Sequence, residues 1–297
     1  MYSQIESNKR RTWILIALVI GLIVALGYGT AIVSGYQPQF TMTIAFGISL
    51  VLTAISYFAG DTVALSSAGA TQIEAKDNPY YYKMVENLTI TAGMKTMPKL
   101  YVIDDPAINA FATGRDPEHA SIAVTTGALT NLENEELEGV LAHELAHIQN
   151  YDIRIMTIVI VLVGSIALIA DMFRYSHFAR GGGDSDSKGN QIAMIIAVVL
   201  IILSPIFAQL IQLAISRRRE YLADATGSML TRYPEGLASA LEKIRDFNQP
   251  MQHRNHATAH LYLESPFRTP ESHSVASWFA THPPIDDRIN ILRTMGK

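Results

Sequence analysis

The chain has 297 residues, a net charge of -4, no cysteine, 49% hydrophobic residues and only 17% charged ones. Soluble globular proteins carry roughly 25% charged residues, so the deficit points to a membrane. A near-neutral balance without a basic tract sets nucleic acid aside as a partner. The absence of cysteine excludes a disulfide framework, a thiolate metal site, an iron–sulfur cluster and a Cys nucleophile, leaving His, Asp, Glu and water as metal ligands.

In chain order, residues 13–33 carry no charge, and at 1.5 Å per residue they reach about 31 Å, the thickness of a bilayer core. A cleaved signal peptide has a shorter apolar region and an A-x-A-like site, so this segment is expected to be a retained span. Phe40–Gly60 forms a second uncharged run after a short turn, giving a transmembrane hairpin over 13–60. Residues 61–154 are polar and read as the first part of a catalytic domain. Asn78-Pro79 starts a helix there, Lys99–Ile103 and Ala120–Thr125 read as strands, and Ala107–Ala112 is a possible third strand. From Thr130 the chain reads as a helix with a buried face, Thr130 and Glu133 forming a capping-box pattern.

A third apolar run starts at Ile155 and carries Asp171 near its end, where an interfacial position beside Arg174 is expected. A fourth runs from Ile192 to Ile215, kinked at Pro205. Segment 155–215 is thus a second hairpin around a glycine-rich loop, and 216–297 is the second part of the catalytic domain. Lys9, Arg10 and Arg11 precede the first span and Arg217, Arg218 and Arg219 follow the fourth, which places both termini in the cytoplasm; Arg174, Arg180 and Lys188 in the intervening loop run against the same rule.

The chemistry lies in His143-Glu144-Leu145-Ala146-His147. At 100° per residue the two histidines stand about 40° apart, one turn above the other, and can grip one metal ion. Glu144 projects beside them as a proton acceptor. Random expectation for this pattern is roughly 0.01 per chain of such composition. A hydrolytic zinc site needs a third protein ligand and an open position. The candidate is Glu220, just after the fourth span, with Asp224 one turn on, placed to accept the remaining ring N–H of a ligand histidine. Two intervening spans bring Glu220 to the same side as the histidines. His253, His256 and His260 form a competing cluster that lacks a base. The alternative from another class is a non-catalytic four-span scaffold or transporter with a structural histidine pair.

These motifs resemble the HtpX-type membrane zinc metalloproteases, in the wider group that includes the Ste24-type prenyl-protein proteases. His143-Glu144-x-x-His147 and Glu220-x3-Asp224 match the family's metal helices, with Asp224 implied to orient His143. Asn109-Ala110-Phe111-Ala112-Thr113-Gly114 resembles the segment that holds substrate as an added strand, which implies Asn109, Ala110, Phe111 and Ala112 as substrate-binding residues. His282-Pro283-Pro284 with Arg288 resembles the motif whose His and Arg support the transition state; from the residues alone, Arg288 can equally pair with Asp286, Asp287 or the chain end. Asp152 also fits the family pattern, without an assignable role. The resemblance implies a fold of four transmembrane helices carrying a mainly helical α+β zincin-type metalloprotease domain, with one Zn2+ per chain. Glu144, His282 and Arg288 would be catalytic and His143, His147 and Glu220 the metal ligands. It further implies quality-control cleavage of misfolded, damaged or otherwise unfolded membrane proteins at the cytoplasmic face of the cell inner membrane, the lipid bilayer being the other partner. Prenylated substrates are not expected, because that branch has more membrane crossings.

Overall fold

In the computed structural model, residues 2–34, 36–159, 217–247, 249–252, 261–264 and 283–295 are described. Helix α1 (Tyr2–Ser34) and helix α2 (Pro38–Ser67) pack side by side as the expected hairpin, with Pro38 in the first turn of α2, where its missing N–H leaves no donor unsatisfied. Ile5–Gly29 and Pro38–Ser67 are each long and apolar enough to cross a membrane. Trp13, Phe40, Val51 and Phe58 stay more than half exposed, the pattern of side chains covered by lipid rather than by protein. Of the predicted third span only residues 155–159 are described; its remainder with Asp171, the fourth span with Pro205, and His253, His256, His260 and His282 lie outside the described residues.

Beyond α2 the chain builds a four-stranded sheet. Strands β1 (Ala70–Ile73), β2 (Lys99–Ile103), β3 (Ala110–Asp116) and β4 (His119–Thr125) lie in the order β1-β2-β4-β3, with β2 and β4 parallel and the other pairs antiparallel. Helix α3 (Pro79–Thr91) intervenes, started as expected by Asn78, whose side chain accepts from the Tyr81 N–H at 3.1 Å. The two strands read from the sequence are present. The third is shifted: the Asp105 carboxylate accepts from the Ala107 N–H at 3.0 Å and holds 105–107 in a turn, so pairing starts at Ala110. β3 then runs on through Gly114, whose φ of 137° only glycine adopts readily and which lets the His119 carbonyl come close. β1 was not anticipated; its four residues are too few for an alternating pattern.

Helix α4 (Thr126–Asn131) is capped by Thr125, so Thr130 is helical rather than a cap, and the capping box of the next helix is formed by Glu133 and Glu136 instead. That next helix, α5 (Asn134–Gln149), is the centre of the domain. Leu137, Leu141 and Leu145 on α5 are buried in one core with Ile122 and Ala112 of the sheet and with Leu237 and Leu241 of α8 (Pro234–Asp246). After α5, residues 152–159 form helix α6, and helices α7 (Arg217–Thr231) and α9 (Ile285–Met295) complete the described elements. Helix α7 crosses α5 at Gly227, where a Cβ would stand 2.9 Å from the His143 backbone nitrogen. Only glycine permits that approach, and the approach puts the acidic residues of α7 beside the histidines of α5.

Candidate metal centre

Helix α5 presents His143 and His147 one turn apart with both rings buried. The His143 Nδ1 lies 2.9 Å from Asp224 Oδ1 and the His147 Nδ1 lies 3.1 Å from Asp152 Oδ2. Each carboxylate accepts the Nδ1 proton of its neutral ring, which leaves both Nε2 atoms as bare lone pairs. Those atoms face each other at 3.1 Å, an arrangement that repels unless a cation stands between them. Glu220 completes the set, with Oε2 at 3.8 Å from His143 Nε2 and Oε1 at 3.6 Å from His147 Nε2, and all donor atoms fall within 4.8 Å of one another. Two ligands on a tetrahedral zinc at about 2.0–2.1 Å stand roughly 3.3 Å apart, within the span of these separations.

Charge leads to the same occupant. Glu144, Asp152, Glu220 and Asp224 are all buried, and so are Arg219 and Arg288. With neutral histidines, four carboxylates against two guanidinium groups leave two negative charges away from water. Burying uncompensated charge is costly, and one divalent cation cancels it. The titration of the protein groups alone has the same sense. Burial holds His143 neutral, lowering it to about 4 despite Asp224. Burial also opposes protonation of His147, but Glu220, Asp152 and Glu144 together outweigh it and push the ring up to about 9, so a proton takes the place a cation wants. Burial raises Glu144 to about 7. At Asp224 burial acts upward, and the Arg288 charge with hydrogen bonds from His143 and Arg288 overcomes it, lowering the group to about 2.

Arg288, 1% exposed on α9, chelates Asp224 with Nε at 2.9 Å and Nη2 at 2.7 Å. It therefore reaches the centre from behind the histidine and fixes the carboxylate that orients His143. Of the strand residues, Asn109 is buried, and its side chain donates to the Glu264 carbonyl at 2.9 Å. Ala110, Ala112 and Gly114 turn their backbones to the outer edge of β3. There Ala110 O accepts from the Leu263 N–H and Gly114 N–H donates to Thr157 Oγ1, while the Ala112 N–H points toward the Glu144 carboxylate and acts to lower it. Phe111 faces inward, edge-to-face with Tyr262. His143, His147, Glu220, Glu144, Asp224 and Arg288 are thus brought together, with Asn109, Ala110 and Ala112 alongside. Asp152, left without a role by the sequence, joins them as the partner of His147. Its only sequence signal was its position five residues after that histidine.

The profile of peptidase family M48 matches residues 75–296. Similar proteins named "Protease HtpX homolog" include those of Dictyoglomus thermophilum, 44% identical over 100% of this chain and 95% of its own length, and Tropheryma whipplei, 43% identical over 100% and 99%. One from Lactobacillus helveticus is 43% identical over 99% of this chain and all of its own. Among solved structures, the crystal structure of S. mikatae Ste24p aligns with 98% of this chain and 67% of its own at 19% identity and a TM-score of 0.49.

Proposed function

Because the chain belongs to peptidase family M48 and is a metalloprotease, we propose that it is a membrane-embedded zinc endopeptidase, holding one Zn2+ on His143, His147 and Glu220. The observation that carries this reading is the convergence of two bare Nε2 atoms on a third, carboxylate donor inside a cluster two charges short of neutral. Zinc bound there supplies Lewis acidity, lowering the pKa of water and polarising a carbonyl. Glu144 accepts the proton of the attacking water and returns it to the leaving amine; with its carboxyl at about 7 it can do both near neutral pH. Asp224 and Asp152 keep the two rings in the tautomer that leaves Nε2 free. Arg288 holds Asp224, and with Nη1 3.9 Å from Glu220 Oε2 it also keeps its proposed role in supporting the transition state. His282 keeps its proposed role as a donor to the developing oxyanion.

An extended substrate is proposed to add to the outer edge of β3 at Asn109–Ala112. This reading is supported by the Ala112 N–H, which acts on the Glu144 carboxyl and so sets that edge on the side of the base. Leu263 already bonds Ala110 and Thr157 bonds Gly114, so substrate enters by displacing those bonds. Misfolded or damaged membrane proteins at the cytoplasmic face of the inner membrane are the proposed substrates. The two apolar helices and the basic clusters at 9–11 and 217–219 support that location. A scaffold with a structural histidine pair is not favoured, since it gives no reason to bury Glu144 and Glu220. The test is metal analysis of detergent-purified protein together with casein cleavage. One zinc per chain and chelator-sensitive cleavage are expected; absence of stoichiometric metal, or cleavage indifferent to chelator, rejects the reading.

A further inference from the structure

Helix α1 carries a buried stripe of Asn8, Thr12, Leu15, Ile16 and Val19, at the spacing of one helix face. Its apolar part packs on Ile155, Ile158 and Val159 of α6. At the head of this stripe stands an amide, 1% exposed, where packing alone asks for another apolar side chain. Burying an amide is unfavourable unless its hydrogen bonds are made. The Asn8 Nδ2 makes two, to the Asn150 carbonyl at 2.8 Å and to Asp152 Oδ1 at 2.7 Å. Those acceptors flank the turn between α5 and α6, where Tyr151 takes a φ of 60° and Lys9 lies 4.9 Å from the centre of its ring. The other Asp152 oxygen holds His147 Nδ1 at 3.1 Å, while Arg219 Nη1 stands 3.6 Å from Oδ1.

We propose that Asn8 is a positioning residue of the metal centre. Its side-chain amide, carried on the N-terminal apolar helix, holds Asp152 and through it the ring of His147, so metal retention depends on how that helix is seated. The chain of contacts is continuous: α1, Asn8, Asp152, His147. Without the amide, Asp152 Oδ1 loses its 2.7 Å contact and is left with Arg219 Nη1 at 3.6 Å among the described residues, and the carboxylate gains freedom to rotate away from the imidazole. Both Asn8 contacts need a donor, so an oxygen or an alkyl group at this position cannot replace it. The inference rests on the reading of His147 as a metal ligand.

The experiment uses full-length protein in detergent, loaded with zinc, and follows metal release to a chromogenic chelator. Apo-protein melting temperature and the kcat and KM for casein are measured in parallel. Replacing groups that orient metal ligands typically costs roughly 10- to 100-fold in affinity, and Asn8, one bond further out, should fall near 10-fold. Asn8→Leu, which keeps the branching of the side chain but removes the donor, should release zinc about 10-fold faster with KM unchanged and kcat reduced. In Asp152→Ala the same Asn8→Leu change should add little, because the bond it removes is already gone. Thr12→Ala, one turn along the same stripe, serves as the control and should keep the parental release rate; among the described residues its hydroxyl donates to the Asn8 carbonyl and not to the metal centre. Asn8→Ala provides a second variant if Asn8→Leu does not fold. Parental zinc release in the Asn8 variants, or acceleration that adds fully to that of Asp152→Ala, overturns the proposal. Failure of the parent itself to bind zinc, or unchanged zinc in His147→Ala, instead overturns the reading of the site on which it rests.

Discussion

Asp286 and Asp287 immediately precede Arg288, yet its guanidinium turns away from both, because α9 buries Ile285, Arg288, Ile289 and Leu292 on one face and leaves Asp286 to pair with Arg245 at its surface. Removing Arg288 leaves Asp224 a buried carboxylate without its counter-charge, held only by the neutral His143 ring among the described residues, and breaking such an ion pair costs about 3–5 kcal/mol. Arg288→Ala is therefore expected to lower the melting temperature and the zinc content together, whereas a group acting only in the transition state would spare both. Glu144→Gln should behave in the opposite way: the site keeps about one zinc per chain while turnover is lost, since the amide cannot accept a proton. Metal analysis beside casein cleavage separates the two, and Glu220→Ala should lose the metal itself. Protons compete with zinc for His147, whose ring the protein alone pushes up to about 9. Below that value one competing proton lowers apparent affinity roughly 10-fold per pH unit, so activity should fall toward mild acid. The sign for folding is separate. A histidine with a raised pKa stabilises the metal-free fold fully below its unfolded value of about 6.5 and loses that contribution as pH rises through about 9. Chelator-stripped protein should accordingly melt lower at pH 10 than at pH 7, and a flat profile would contradict the cluster described for His147.

At the scale of elements, the metal centre depends on how closely α7 can approach α5. Glu220 and Asp224 share a face of α7 with Gly227, and the missing Cβ there is what lets both acids reach the histidines. Gly227→Ala places a methyl 2.9 Å from a helix backbone that cannot yield locally, and overpacking of this kind costs about 1–3 kcal/mol. The helices must part, so zinc retention should drop along with stability. Gly21→Ala is the contrast: nothing lies within 4 Å of its Cβ position, and zinc content should not change. Equal zinc retention in the two variants would show that the close crossing is unnecessary. Besides the short strand β1, two departures from the predicted elements came from local side-chain to backbone hydrogen bonds. Thr125 started α4 early, taking Thr130 into a helix and leaving Glu133 to cap α5. Asp105 held the chain in a turn and delayed β3 to Ala110.

For the whole molecule, the described contacts tie the part that carries the candidate metal centre to the two apolar helices rather than suspending it on a linker. Ala64 and Leu65, at the end of α2, share a core with Phe111 and Met156, and Asn8 touches the acid that holds His147. Asn8 lies five residues before Trp13, where the predicted first span begins, which is about 8 Å along a helix. The metal is therefore expected within one or two helical turns of the hydrocarbon edge. A depth-dependent quencher should reach a probe at position 144, and a result several tens of Å from the bilayer would contradict the arrangement. A reporter fused after Lys297 should behave as cytoplasmic.

The pairs His143/His147 and Glu220/Asp224, which make up the proposed metal centre, were legible in the sequence because each pair belongs to one helix, where a spacing of four residues alone puts two side chains on one face. The pair of long apolar helices was legible for a similar reason, since an uncharged run of sufficient length satisfies its backbone internally and needs no partner to be recognised. Tertiary structure decided what joins those helices. The partners of Arg288 and Asp152 and the two bonds of Asn8 link residues 64, 5 and more than 140 positions apart. No periodicity records such pairings. They exist because α9, α6 and α1 are packed against the same buried cluster, where each charge must find its partner inside the protein once water is excluded.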